Sequence, residues 1–592
     1  MRNINERISN LKQEIDKLPK GSIAKKTIKG SEYFYFRYYI NGVRKEKYID
    51  ISLVDELKGQ INKRKQMEEE LKELKNKVTL NNKIKRNNTF SCNIRINEDL
   101  RKFVKSVENY KKRKCYKQIN DYIYSNSEKV FILYGLRRTG KTTLIKQIIA
   151  EMDDFTFNKS VFIQVSNKDS LASLNKDLKK LEDLGYKYVF IDEVTMLEEF
   201  IEGAALFSDV YVASGMKIVL SGTDSLGFIL ASSEQLYDRC ILLHTTFIPY
   251  KEFEEVLNIK GIDEYIRYGG TMSLSGINYN DDFVFDNKNT TSQYIDSSIA
   301  SNIQHSLKYY NYGNHFRNLI TLYENNELTN VINRVVEDIN HRFTKEVLTK
   351  KFLSNDLAIS AKNLRSDKQF NNTILDDIDI ELFTKRLKEL LEILDKDERK
   401  VDLNDEHVVE IKEYLSLLDL IYEIDVKSIP TINKVYKNVI ISQPGLRYAQ
   451  AISLIDSLIK DEKFNELSII EKDKVTKRIQ NEIKGRMMED IILLESKLAN
   501  NKKEVFKLKF AVGEFDMVIF DSHSLTCKIY EVKYNDQVNE EQYKHLIDDN
   551  KCKLTSHFFG KIIEKCVIYR GESKTYNSIR YINVEEYLKS LY

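Results

Sequence analysis

Apolar and polar positions change rhythm several times along this chain. From residue 4 to 18 apolar side chains return every three or four positions, which predicts a short amphipathic helix stopping near Pro19-Lys20-Gly21. Residues 22–28, 32–40 and 43–49 read as three strands, with Asn41-Gly42 as a two-residue turn, because both turn positions need a positive φ. The middle strand, Tyr33-Phe34-Tyr35-Phe36-Arg37-Tyr38-Tyr39, is aromatic on both faces and lies beside Lys25, Lys26, Arg44, Lys45 and Lys47. So small a sheet cannot bury both faces; one is expected to pack on a helix and the other to meet a partner. Leu57, Ile61, Met67, Leu71, Leu74 and Val78 then mark a long amphipathic helix over 53–78, and a basic polar linker follows at 81–88.

After a further helix over about 97–125, the pattern becomes short apolar strands alternating with helical stretches. Val130–Tyr134, Tyr188–Ile191 and Lys217–Leu220 are the strands; 171–184 and 196–207 are helical. That alternation predicts a parallel sheet with helices on both faces. Residues 261–370 read as mostly helical and polar, with an irregular stretch at 278–291. A helix over 410–424 and strands over 427–432 and 435–442 follow, and then a helix over 475–498 and strands over 504–510, 514–521 and 526–530.

Composition narrows the class. A chain of 592 residues with 42% hydrophobic and 31% charged residues can bury several cores, and it is expected to form about three to five domains. No apolar run reaches membrane-spanning length, and the start lacks a signal-peptide pattern. The six cysteines show no paired short spacing, which argues against a disulfide framework and for a reducing, cytoplasmic setting. Charge is uneven. Residues 1–120 carry 31 Lys and Arg against 15 Asp and Glu, while the remainder carries 62 against 75. A basic first fifth on an acidic body points to a polyanion partner such as DNA, or to a solvated helical surface.

The first chemical signal is Gly135-Leu136-Arg137-Arg138-Thr139-Gly140-Lys141-Thr142-Thr143, set between a buried strand and a helical run. Glycines in such a loop let backbone N–H groups close around phosphates, with Lys141 on the β/γ oxygens and the Thr142 hydroxyl on Mg²⁺. Gly135, Arg138, Gly140, Lys141, Thr142 and Thr143 are therefore the candidates for holding ATP. Strand 188–191 ends in Asp192-Glu193, where Asp192 suits Mg²⁺ and Glu193 suits polarising a water. Strand 217–220 ends in Ser221-Gly222-Thr223, and Ser221 could sense the γ-phosphate.

These motifs, with LYDRCILLHTTFIPYKEF and YIRYGG after them, resemble the prokaryotic AAA-like ATPases of the archaeal-type group. The resemblance spans about 98–592 and implies a P-loop domain, a winged helix and a restriction-endonuclease-like C-terminal domain. It makes Arg239 a candidate γ-phosphate-sensing arginine, and aligns Gln443-Pro444-Gly445-Leu446-Arg447 with a short motif after the winged helix. Toward the C-terminus, Asp516 and Glu531-Val532-Lys533 reproduce the spacing of the D…(D/E)-x-K nucleases, with Glu489 upstream on a helix. Such sites need Asp516 and Glu531 on Mg²⁺ beside the scissile phosphate and Lys533 on the attacking water, with Glu489 as a third carboxylate.

The expected architecture is an α/β multidomain chain. It comprises a β arm (1–50), an amphipathic helix and linker (51–96), a P-loop ATPase domain (97–260), a helical lid (261–370), a winged helix (371–450) and a restriction-endonuclease-like domain (451–592). The expected function is an ATP-hydrolysing, DNA-binding protein with a Mg-dependent nuclease, in defence or mobile-element biology. The alternative is an ATP-driven switch or assembly protein whose nuclease-like fold only docks. The arm loosely resembles the three-stranded sheet with which tyrosine recombinases hold DNA; its alternative use is homo-oligomer assembly, which the ATPase domain could also mediate.

Overall fold

A computed structural model describes residues 2–592 apart from 29–30, 41–42, 87–89, 273–284, 286–287, 430–434, 461–467 and most of 301–404. The expected Asn41-Gly42 turn, most of the lid and the start of the winged helix lie outside the described residues. The chain forms two compact units, Met1–Ser91 and Cys92–Tyr592. Among the described residues no helix is long and apolar enough to cross a membrane.

In the first unit, strands β1 (Ser22–Ile28), β2 (Ser31–Ile40) and β3 (Val43–Ile49) pair antiparallel in chain order. Register places Phe34, Phe36 and Tyr38 on one face with Ile49, Lys47 and Lys45, and Tyr33, Tyr35 and Arg37 on the other with Tyr48 and Glu46. The helices Arg2–Asp16 and Val54–Arg86 pack together through Leu11, Ile15 and Ile61, all buried. Arg64 closes the end of the first helix by donating to the carbonyls of Ile15 (2.6 Å) and Leu18 (2.5 Å).

The second unit holds two sheets. The first has the order β4-β6-β7-β8-β5-β9, with β4 (Asn93–Arg95) antiparallel and β5 (Val130–Tyr134), β6 (Ser160–Gln164), β7 (Tyr188–Asp192), β8 (Lys217–Gly222) and β9 (Cys240–His244) parallel. Helices 97–104, 116–124 and 141–150 pack Leu100, Ile119, Leu144 and Ile148 against Phe131, Leu133, Phe162 and Phe190 of this sheet. The helix expected over 97–125 is therefore broken, and Arg113 falls in the break. The first unit ends at Ser91 rather than 96 because β4 joins the sheet and the Cys92 N–H donates to Asp177 Oδ2 at 2.8 Å.

The second sheet has the order β11-β10-β12-β13-β14-β15-β17-β16. Its strands are β10 (Ile421–Ser428), β11 (Tyr436–Ile441), β12 (Glu504–Lys509), β13 (Glu514–Asp521), β14 (Thr526–Lys533), β15 (Lys561–Tyr569), β16 (Lys574–Tyr576) and β17 (Ile579–Asn583). The expected domain boundary at 450 thus falls inside one sheet. The β10–β11 hairpin adds to it through parallel pairing of Val426, Lys427 and Ser428 with Lys507, Leu508 and Lys509. The helix expected to reach Ile424 stops at Leu417, because Ile421–Val426 pair with Ile441–Tyr436 instead. The long helix Ile469–Ala499 covers one face of the sheet with Met487, Met488 and Ile492 against Met517, Tyr530 and Ile568. That same core takes in Tyr250, Phe253, Tyr265 and Ile266, so the chain that follows β9 packs into the core of the C-terminal sheet.

Candidate functional site

The phosphate loop leaves β5, which is buried throughout, at Tyr134. Gly135 runs at φ 144°, and a Cβ there would stand 2.7 Å from Thr245 Oγ1, so only glycine fits this exit. Gly140 at φ 87° caps the helix Lys141–Ala150, leaving its first N–H groups open toward an anion. Lys141 is buried and its Nζ donates to the carbonyls of Gly135 (2.8 Å) and Leu136 (2.9 Å). Burial pushes its pKa down to about 8, against the pull of Glu193 and Asp192. Arg138 sits at φ 63° on the exposed loop, and Thr143 lies half-buried on the helix's first turn.

Asp192, buried at the end of β7, collects the neighbouring hydroxyls. Thr142 Oγ1 donates to Oδ2 at 2.8 Å, and Ser221 Oγ donates to Oδ1. Glu193 turns out of the strand at φ 56° and accepts from Thr223 Oγ1 at 3.3 Å. Burial, then the Asp192 charge, raise its pKa above the ordinary carboxylate range. Lys141, Thr142, Asp192, Glu193 and Ser221 are therefore gathered around one loop mouth.

Arg239 is the correction. It precedes β9, whose Cys240 pairs with Val130 at the start of β5, while the loop follows Tyr134 at the other end. Four residue steps separate those ends, about 13 Å, and Arg239 is engaged in a two-pronged pair with Asp209 at 2.6 and 2.8 Å. It does not reach this chain's own phosphate loop.

Sequence reasoning passed over Arg113. This buried side chain donates to the carbonyls of Thr139 (2.6 Å), Thr245 (3.1 Å) and Phe247 (3.2 Å) and to Glu252 Oε2 (2.9 Å). Glu252 belongs to Pro249-Tyr250-Lys251-Glu252-Phe253, so that motif braces the phosphate loop through Arg113. A basic residue in a polar break between helices gives no periodic signal.

A second polar cluster lies on β13 and β14. Asp516 Oδ2 accepts the Val532 N–H at 2.8 Å, and Lys533 Nζ donates to Asp516 at 3.2 Å and to Glu531 at 2.7 Å. Asp516 and Glu531 are buried, and Glu531 Oε1 has no hydrogen-bond partner among the described residues. Burial opposes the Asp516 charge, but Lys533 and Lys507 outweigh it and hold its carboxyl below the ordinary range. Burial and the charge of Asp516 push Glu531 well above that range. Two acids this close cannot both ionise readily without an added cation.

Glu489 does not join them directly. Its Oε2 accepts from Arg486 at 2.7 Å and from Lys507 at 3.1 Å. Among the described residues no three Asp, Glu, His or Cys side chains converge as a ready metal cage. The unpartnered oxygen of Glu531 and the paired acids nonetheless fit a divalent cation, with Asp516 and Glu531 as its holders. Lys507, buried on β12, is the second residue the sequence reading missed; a lysine inside the apolar run Val505-Phe506-Lys507-Leu508 was its signal.

Among known proteins, the AAA domain family matches residues 127–254. Residues 127–254 form an AAA-type P-loop ATPase domain. The AAA domain thus runs from just before β5 to the Pro249–Phe253 motif and contains the whole phosphate-loop cluster. Residues 1–59 match a domain of unknown function (DUF6788). No curated protein matches the chain. Two solved structures align over 62% of it. One is the Aeropyrum pernix Orc1 protein in complex with DNA, at 11% identity, 98% of that chain and a TM-score of 0.22. The other is the S. cerevisiae Hsp104-ADP complex, at 12% identity, 47% of that chain and a TM-score of 0.20. Superpositions this loose carry no argument; the AAA domain rests on the family match alone.

Proposed function

We propose that the chain is an ATP-hydrolysing, DNA-binding protein whose C-terminal acidic site cleaves DNA with magnesium. The observation that carries the cleavage reading is the meeting of Asp516, Glu531 and Lys533 from adjacent strands, with one buried carboxylate oxygen of Glu531 left unpartnered. Magnesium there would neutralise charge developing at a scissile phosphate. Asp516 and Glu531 would hold it, and Lys533 would orient the water or a phosphate oxygen beside them.

In the AAA domain, Lys141 would exchange its two carbonyl partners for β/γ-phosphate oxygens, a gain that suits a lysine already bent over the loop. Thr142 and Asp192 would hold the magnesium that accompanies ATP, with Ser221 fixing the Asp192 carboxylate. Glu193, more basic than an ordinary carboxylate, would take the proton of the attacking water. Lys141→Ala should abolish nucleotide binding, whereas Glu193→Gln should keep binding and slow turnover by roughly a hundredfold or more. Normal ATP turnover in Glu193→Gln would move the proton-accepting role to Asp192 or another group.

DNA would meet the first unit. Lys45 and Lys47 are exposed and share a face with Phe36 and Tyr38, an aromatic-basic combination suited to nucleic acid. Arg37, in contrast, is taken up by Glu46 at 2.8 Å and belongs to the sheet's own charge cluster with Lys26 and Arg44. One observation favours a second reading, an ATP-driven switch whose acidic fold only docks. Arg486 and Lys507 keep Glu489 from the other two carboxylates, leaving the acidic site one ligand short.

A further inference from the structure

Two glycine-bearing motifs, Tyr268-Gly269-Gly270 and Gln443-Pro444-Gly445-Leu446-Arg447, have no part in either cluster as described, yet they pack directly on each other. Gly445 N–H donates to the Gly269 carbonyl at 2.9 Å. A Cβ on Gly445 would stand 2.9 Å from the Arg267 carbonyl oxygen, and one on Gly270, at φ +111°, would stand 2.5 Å from Gln443 Cβ. Both glycines are needed for this approach.

From that contact, polar groups lead in two directions. Gln443 is fully buried, and its Nε2 donates to the Gly270 carbonyl (3.0 Å) and to Tyr294 Oη (2.9 Å). Tyr294 Oη donates in turn to the carbonyl of Arg137, and the Met272 N–H donates to the carbonyl of Arg138 at 2.7 Å. The tip of the phosphate loop is thus held by Tyr294, which Gln443 holds, and by Met272, two residues beyond the Gly270 carbonyl that Gln443 also holds. Four residues on, buried Arg447 donates to Asp490 Oδ2 (2.6 Å) and to the Val439 carbonyl (3.1 Å). Asp490 adjoins Glu489, and Arg486 faces both acids, at 2.7 Å from Glu489 and 3.9 Å from Asp490. Lys507 then ties Glu489 to the sheet that bears Asp516.

We propose that Gln443 and Arg447 are positioning residues that couple the phosphate loop to the helix carrying Glu489, so that nucleotide occupancy decides how Glu489 is held. The inference rests on the reading of the loop as a nucleotide site. Closing the loop on phosphate moves the Arg137 and Arg138 carbonyls that Tyr294 and Met272 grip. The helix Pro444–Lys460 is the rigid piece between, with Gln443 just before its start and Arg447 in its first turn. It passes the shift to Asp490 and hence to Arg486. Held as it is here, Glu489 lies with Arg486 and Lys507; released, it can join Asp516 and Glu531 and supply the missing third carboxylate.

Amide hydrogen exchange of the full chain, with and without a slowly hydrolysed ATP analogue, tests this. A fluorescent ATP analogue titrated into the same samples measures binding separately. In the wild type, nucleotide should change exchange over residues 484–495 by about fivefold or more, the size of an ordinary coupling between sites. Tyr294→Phe removes only the hydroxyl between Gln443 and the loop, and Arg447→Lys removes the guanidinium that joins Asp490 to the Val439 carbonyl; either should abolish most of that change at saturating nucleotide. Bound nucleotide with no change at 484–495 in the wild type overturns the coupling. So does a full response in Tyr294→Phe, which holds the test open should Arg447→Lys fail to fold. Absence of any nucleotide binding removes the underlying reading as well, and the titration tells that outcome apart.

Discussion

Glu495, outside both polar clusters, makes a plain demand on pH. It is fully buried on the helix Ile469–Ala499, accepts the Tyr250 N–H at 2.7 Å, and is pushed by burial up to about 8. An acid raised in this way stays protonated in the fold while the unfolded chain releases its proton from about pH 4.5 upward. Folding stability should therefore fall between pH 4.5 and 8, by about 1.4 kcal/mol per unit at most, and level off above. Denaturation midpoints measured across that range should show a shallower decline in Glu495→Gln; parallel slopes would remove Glu495 as the cause. At this same scale, the meeting of side chains was legible where a motif fixes spacing. Lys141, Thr142, Asp192 and Ser221 meet as a strand–loop–helix pattern requires, and Asp516, Glu531 and Lys533 meet because β13 and β14 are neighbours. Arg113 was not legible, since its main partners lie more than a hundred residues away, and the interrupted apolar run that marks Lys507 does not show its partner, Glu489 on the covering helix. Arg239 misled because its place in a motif says nothing about which end of a strand it occupies.

Elements follow local pattern until tertiary pairing outbids it. The buried run of β5 could be read directly, and the helix expected over 53–78 runs on to Arg86, through most of the expected linker at 81–88, whereas the stretch from Leu415 to Ile424 fits helix and strand periods alike. Its last residues become strand because β11 and β12 offer hydrogen-bond partners on both sides. Close approaches between elements are equally invisible in sequence, although they leave glycines behind. Gly445 is one: an added methyl would press on the Phe285 ring at 2.4 Å and on two backbone carbonyls at 2.9 and 3.1 Å. Because carbonyls cannot swing aside as a side-chain tip can, Gly445→Ala should lower stability by roughly 1–3 kcal/mol, seen as an earlier denaturation midpoint. An unchanged midpoint would mean that the helix Pro444–Lys460 draws away from the Arg267 and Gly269 carbonyls at no cost.

For the molecule as a whole, the chain divides into two compact units rather than the three to five domains that composition suggested. Residues 92–592 form one compact unit because the AAA domain and the C-terminal sheet share a core through Tyr250, Phe253 and Met487, and the β10–β11 hairpin extends the C-terminal sheet. The first unit carries 22 Lys and Arg against 12 Asp and Glu, most of the basic excess, and there the polyanion reading can be tested by deletion. Removing residues 1–91 should weaken DNA binding and flatten its salt dependence, each lost lysine–phosphate contact reducing the log–log slope by about 0.9. Unchanged DNA affinity with a smaller oligomer would make the unit an assembly device. The central claim remains the acidic site, and plasmid cleavage measures it most directly. Purified full-length protein with ATP and Mg²⁺ or Mn²⁺ should nick or cut plasmid DNA, and Asp516→Ala or Lys533→Ala should abolish cutting while ATP turnover persists. A wild-type protein that hydrolyses ATP but leaves every DNA form intact would contradict the account and make the acidic fold a docking module.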